Sequence, residues 1–443
     1  MVNDNEDMAK IGLAALESLK GLAERWACID TRLALSSQFP YSEFRLEKVQ
    51  KLPKAVNILK EDRQAFGLLV GKAASPEEVH SHPLTSLPLA LATPDRDLRQ
   101  TSKSSLRNYL MEESSSIEYT PPDQSIWLVD GMAAVRTLPP QQTWRKYGEE
   151  LLKFCLPPSS SKPLEVGIIF DSYGTATTKE LTQIRRAGGT PGRRVHIKNA
   201  DQSIPTGKDW NSFLTIGENK SELIKFLASY FKSSKLEIPL IVTHESETFR
   251  ITASGTEILP NCNHHEADTR IVYHASIAKD PVVIRATDTD ILVLLCYAYS
   301  VCNPEDNWMM KVDDRYVSVR KVVEHFGDDV CKVLPAYHSI TGCDTTSFPY
   351  GVGKIKPLKK MRQKGKVHLL AELGTSVHSV QKMEGPRSFM QTCMYSGTDK
   401  ETFVETRIRM FNKKQVKSSV GILPDGSSAD EHIKRSVLQA LIW

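Results

Sequence analysis

Ile126-Trp127-Leu128-Val129 runs straight into Asp130-Gly131, and Val166-Gly167-Ile168-Ile169-Phe170 runs straight into Asp171. Each is an apolar run of strand length that stops at an acid. Residues 281–285 repeat the form ahead of Asp288-Thr289-Asp290, and residues 238–242 supply one more strand. Helical patterns fall between them, over residues 144–154, 178–187, 219–233 and 266–278. Strands alternating with helices indicate an α/β layer fold. Ligands of open α/β sheets sit outside the carboxyl ends of the strands, so Asp130, Asp171, Asp288 and Asp290 are expected on one rim.

Outward from this block, residues 308–319 read as a hairpin turning at Asp313-Asp314, and residues 322–334 as a helix. Leu292, Val293, Leu294, Leu295 and Tyr297 read as core. Upstream, Pro83, Pro88, Pro94, Ser114-Ser115-Ser116 and Pro121-Pro122 give linker composition, interrupted by a helix near residues 106–111. Earlier still, Met8, Ile11, Ala15, Leu19, Leu22 and Trp26 recur at helical spacing. Three regions are therefore expected: 1–124, mainly helical with a linker; 125–370, the α/β block; and 371–443, a C-terminal extension of unassigned role.

The 443 residues are 40% hydrophobic and 25% charged with net charge +4, which admits a substantial core and excludes a polybasic or acidic chain as the whole. The longest uncharged apolar stretch, residues 291–302, falls short of the ~18 needed to cross a bilayer. The N-terminus is acidic where a secretory signal is basic, so no membrane or export route is expected. Eight cysteines lie scattered without a CxxC pair, which suits a reduced, intracellular protein rather than a zinc site. Local positive strips stand out: residues 354–366 (KIKPLKKMRQKGK) carry seven basic residues and no acid, and residues 179–198 are also basic. Such strips suit phosphates.

Glu266 and Asp268, two apart at a helix start, join the acids, with one of them at the frayed first turn; Asp344 follows Gly342-Cys343 in a loop. Asp288 and Asp290 share one face if the chain is extended there. Seven carboxylates gathered in one cleft repel one another, and divalent cations relieve the conflict. Oxygen donors without a thiolate favour Mg²⁺ or Mn²⁺, and a pair of such ions clamps the attacking and leaving oxygens of phosphodiester hydrolysis.

In this order, the segments Leu128-Val129-Asp130-Gly131, Ile169-Phe170-Asp171, Glu266-Ala267-Asp268, Thr287-Asp288-Thr289-Asp290 and Gly342-Cys343-Asp344 resemble the metal-binding acids of the flap-endonuclease and 5′-exonuclease superfamily. The resemblance covers about residues 125–370. It implies a PIN-like three-layer α-β-α sandwich with a mainly parallel central sheet, followed by a helical duplex-binding turn. It also implies a structure-selective, metal-dependent nuclease using two Mg²⁺ or Mn²⁺ ions on those seven acids. Lys179 and Arg186 match the family's two cations near the scissile phosphate, with Arg185 an alternative to the second. Gly351-Val352-Gly353 matches its glycine turn, which binds a duplex phosphate with a monovalent cation such as K⁺, and Lys354, Lys356, Lys359 and Lys360 extend that contact. The implied partner is nucleic acid, DNA ahead of RNA, met by a monomer inside the cell and in the nucleus ahead of the cytoplasm. Two departures stand out: some 124 residues precede the first strand where the family begins almost at it, and the insert between Arg186 and Asn219, which contains residues 188–192, is expected as a cap in place of the family's arch.

The wording EADTR, DTD and GCDTTS is also similar to uncharacterised animal proteins found in mobile-element surroundings, which leaves a catalytically inactive nucleic-acid binder as one alternative. The seven intact acids favour an enzyme. Residues 168–175 also resemble the nucleophile loop of haloacid-dehalogenase-like phosphatases, with Asp171 attacking and Asp328-Asp329 as late acids. That reading leaves Asp130, Glu266, Asp268 and Asp344 without a role. His264-His265 are weighed as helix-capping or solvated rather than ligating, His338 as structural, and Trp127, Tyr173 and Tyr350 as packed rather than base-stacking.

Overall fold

The computed structural model describes residue 64 and residues 66–85, 87–100, 102–158, 161–173, 193–260, 262, 264–413 and 419–443. Lys179, Arg185, Arg186, the helix expected over 178–187, the glycines of 188–192 and the stripe from Met8 to Trp26 lie outside the described residues. The chain forms two compact units, Leu106–Leu334 and Met1–Ser105 with Pro335–Trp443.

Among the described residues, the unit Leu106–Leu334 opens on α1 (Ser104–Glu113) and builds one sheet of nine strands. These are β1 (Ile117–Glu118), β2 (Ile126–Asp130), β3 (Glu165–Ile169), β4 (Leu240–His244), β5 (Glu247–Thr252), β6 (Gly255–Leu259), β7 (Val282–Arg285), β8 (Trp308–Val312) and β9 (Arg315–Ser318), in the order β1-β9-β8-β7-β2-β3-β4-β5-β6. The central five, β8-β7-β2-β3-β4, run parallel, and the outer strands are antiparallel.

Parallel neighbours need crossovers. Between β2 and β3 lie α2 (Gly131–Thr137) and α3 (Trp144–Cys155); between β3 and β4 lie α4 (Lys208–Phe213) and α5 (Gly217–Lys232). The chain then returns to the far side of β2 through α6 (Ala267–Ile277), and α7 (Thr289–Cys302) links β7 to β8. Right-handed crossovers stepping in opposite directions place helices on opposite faces. The core shows this. Trp127, Val129, Val166, Ile168, Leu240 and Val242 meet α3 and α5 through Trp144, Leu151, Leu223, Leu227 and Phe231. The alternate residues Leu128, Ile169 and Ile284 are also buried and face the other way, where α6 packs on β2 and β3. The result is the expected three-layer α-β-α sandwich with a mainly parallel sheet. Its strand order reverses between β2 and β7, the switch point where such sheets bind ligands.

Three local expectations change. The helix expected over 322–334 is split into α8 (Val319–Phe326) and α9 (Asp328–Lys332), because Gly327 adopts φ +83 and ends the first. Tyr297, expected in the core, is 39% exposed, since it lies on the outer side of α7. A β5–β6 hairpin also occupies residues for which the sequence suggested no element.

The other unit is helical among its described residues, with Pro76–Ser81, Ile355–Gln363, Glu384–Phe389, Phe403–Phe411 and Gly426–Ile442. Arg407, 3% exposed, joins its two chain segments by donating to the carbonyls of His80 (2.8 Å), His82 (3.1 Å) and Leu423 (2.5 Å). No described helix is long and apolar enough to cross a membrane, and the seven described cysteines are thiols.

Candidate metal centre

The parallel register sets the acids of Leu106–Leu334. Asp130, last in β2, lies level with Ile169, so Asp171 stands two residues beyond it on the next strand, about 4.8 Å across. Val129 is level with Arg285 on the other side, which carries Asp288 to the same edge. The approach of β2 and β3 is tight: a Cβ on Gly131 would come within 2.5 Å of the Phe170 ring.

Each acid then meets a helix start. Asp130 caps α2, accepting from the Ala133 N–H at 2.9 Å. Asp171 Oδ1 accepts from the Ala267 N–H at 2.7 Å, and Ser172 N–H donates to the His265 carbonyl at 2.8 Å. Those two bonds bring Glu266-Ala267-Asp268 to the end of β3. Glu266 is the extended residue before α6 and Asp268 lies in its first turn, each 7% exposed. Asp288 caps α7, its Oδ1 accepting from the Asp290 N–H at 3.0 Å, and Asp290 is 2% exposed. Asp288 and Asp290 present carboxylate oxygens within 4.8 Å of each other. An extended chain was expected to align these two acids. A capping turn does so instead, because the helix starts at Thr289. Three helix N-termini facing one edge favour negative charge there.

Tyr173 donates to Asp171 Oδ2 at 2.9 Å. Burial pushes its hydroxyl well above the ordinary range, and the Asp171 and Asp130 carboxylates push it the same way, so it keeps its proton and serves as a donor. Asp130 and Asp171 thus act on one hydroxyl.

Sequence reasoning passed over four residues here. Arg270 is 1% exposed and binds carbonyls at the ends of β3 and β4. Lys220, 1% exposed, holds its ammonium 4.3 Å from the Tyr173 ring centroid. Tyr173 was weighed as packed or base-stacking, not as the hydrogen-bond donor to Asp171 that it is. Arg107 donates to the carbonyl of Thr287, next to Asp288. Lys220 had a legible signal: it falls on the same helical stripe as Leu223, Leu227 and Phe231, where a charge is out of place.

In the other unit, Asp344 is half-buried after Gly342 (φ +109), with Lys103 Nζ at 3.1 Å. Gly351 (φ +70) and Gly353 (φ +65) form a left-handed turn ahead of Ile355–Gln363. Lys356 and Lys359 are exposed, and Lys360, half-buried, donates to Ser396 Oγ at 2.5 Å. Lys354, expected at a duplex, is 3% exposed, with Nζ on the His338 carbonyl (3.1 Å), His338 Nδ1 (3.0 Å) and Thr341 Oγ1 (2.8 Å). Its ammonium ties the residue that follows the glycine turn to His338 and Thr341. His338 is buried in that network, as a structural histidine would be, whereas Tyr350 is exposed.

No family model matches the chain, and no curated protein does. Among solved structures, flap endonuclease-1 from Methanococcus jannaschii aligns over 73% of this chain and 95% of its own at 13% identity, with a TM-score of 0.32.

Proposed function

We propose that this chain is a divalent-metal-dependent, structure-selective nuclease acting on DNA ahead of RNA, as a monomer in the nucleus. The observation that carries the reading is the Asp288–Asp290 pair, two half-buried to buried carboxylates within 4.8 Å at the sheet's switch point. The donors fit a hard cation: all are carboxylate oxygens, and helix N-termini favour their charge without neutralising it. Asp288 and Asp290 would hold the metal, Mg²⁺ or Mn²⁺, with Asp130, Asp171, Glu266 and Asp268 along the same edge. Asp344 is assigned to the metal on the ground of the family resemblance alone. When bound, such ions lower the pKa of an attacking water and stabilise the leaving 3′ oxygen.

The chain's own residues do the rest. Tyr173 keeps its proton and orients Asp171. Lys179 and Arg186 are assigned to the scissile phosphate. Gly351 and Gly353, with K⁺, and Lys356, Lys359 and Lys360 are assigned to the duplex; Lys354, being buried, supports that turn. The test is digestion of labelled flap, nicked and single-stranded DNA with Mg²⁺ or Mn²⁺. Cutting is expected, with loss on EDTA addition and in Asp288→Ala with Asp290→Ala. Metal-independent cutting, or binding without cutting, would remove this reading.

A further inference from the structure

We infer that Arg270 is the positioning residue of the acid edge, a buried fork that fixes Asp171 and Glu266 relative to each other. The inference deepens the nuclease reading above and rests on it for its chemical consequence. Arg270 lies one helical turn past Glu266 on α6, at 1% exposure. Its three acceptors are carbonyls from three separate segments. Nε donates to His264 at 2.6 Å in the lead into α6, Nη1 to Phe170 at 2.9 Å at the end of β3, and Nη2 to Glu245 in the β4–β5 turn. Glu245 sits at φ +52, a conformation that side chains rarely adopt, and the guanidinium takes its outward carbonyl.

The bonds around it close the frame. Phe170 is held from β4 as well, through Thr243 Oγ1, which accepts from its N–H at 2.7 Å. The residues flanking Phe170 and His264 then bond directly, Ser172 N–H to His265 and Ala267 N–H to Asp171 Oδ1. Arg270 therefore stands behind the acids, touching backbone only, and sets the spacing at which Asp171 meets the start of α6. A planar fork with five N–H groups serves three divergent acceptors; an ammonium cannot span them.

The experiment compares full-length Arg270→Lys and Arg270→Met with the parent and with Leu227→Ala, a core truncation on the opposite face of the sheet. Amide exchange at Ser172 and Ala267 is read first, and Mn²⁺ affinity by electron paramagnetic resonance second, both without nucleic acid. Expected in Arg270→Lys is local acceleration of those two amides beyond any in Leu227→Ala, with Mn²⁺ Kd raised by about 10- to 100-fold, the range for outer-shell partners; Arg270→Met shows at least as much. Unchanged exchange at both amides, or acceleration spread over the unit as in Leu227→Ala, overturns the inference, as does failure of both variants to fold. A parent that binds no Mn²⁺ sinks the nuclease reading, while the exchange measurement still decides the role of Arg270.

Discussion

Gly131 and Gly342 are small for different reasons, and the difference is measurable. At Gly131 the obstacle to a Cβ is the Phe170 ring at 2.5 Å, fully buried and unable to swing away. Gly131→Ala should cost about 1–3 kcal/mol, the usual price of overpacking. At Gly342 the backbone itself intrudes, with Phe348 Cα at 2.7 Å, and φ is +109, so Gly342→Ala adds left-handed strain of roughly 1–2 kcal/mol to the clash. Urea unfolding should rank Gly342→Ala below Gly131→Ala, and both below Gly426→Ala, where nothing lies within 4 Å; the reverse order would refute the packing argument. His274 makes a second case. Burial, aided by the Arg270 charge, lowers its pKa to about 4 from 6.5. Its folded pKa lies below the unfolded one, so the stability it contributes is present above pH 6.5 and is lost as pH falls towards 4. The loss is on the order of 3 kcal/mol. His274→Leu should shrink the difference in unfolding free energy between pH 7 and pH 4.5, and an undiminished difference would show that the proton goes elsewhere.

At the scale of the element, legibility followed the strength of the local signal. β2, β3 and β7 were readable because each is apolar and ends at an acid or shortly before one, and α5 and α6 because their buried residues recur at helical spacing. The β4–β5 turn was not: two residues, Glu245-Ser246, make it without the Asn-Gly that announces such turns, and Arg270 supplies the bond that the turn sequence does not. Gly327 misled in the opposite direction, since the apolar period continues across it while its φ of +83 breaks the helix. The acids themselves were legible as strand ends. Their second role, as caps of α2, α6 and α7, was not, because Asp171 caps a helix that begins 96 residues later in the chain. No local spacing encodes such a bond.

Across the whole molecule, the basic strip shows how a property read from composition divides once each side chain has a place. Residues 354–366 look uniform in sequence, yet Lys354 is buried while Lys356 and Lys359 are exposed on Ile355–Gln363. Only exposed ammonium groups can displace counterions from a duplex, and each phosphate neutralised contributes a slope of about −0.9 to log K against log salt on B-DNA. Replacing Lys356 and Lys359 by Ala should therefore flatten that slope by about 2. Lys354→Met should do the reverse: it removes the ammonium that holds the His338 carbonyl and Thr341, so stability falls while the slope stays at the parent value. Fluorescence anisotropy of a labelled duplex between 50 and 200 mM salt, paired with thermal unfolding of each variant, measures both. A slope that drops for Lys354→Met as far as for the exposed pair would mean that the buried lysine reaches the duplex after all, and the division of the strip would fail.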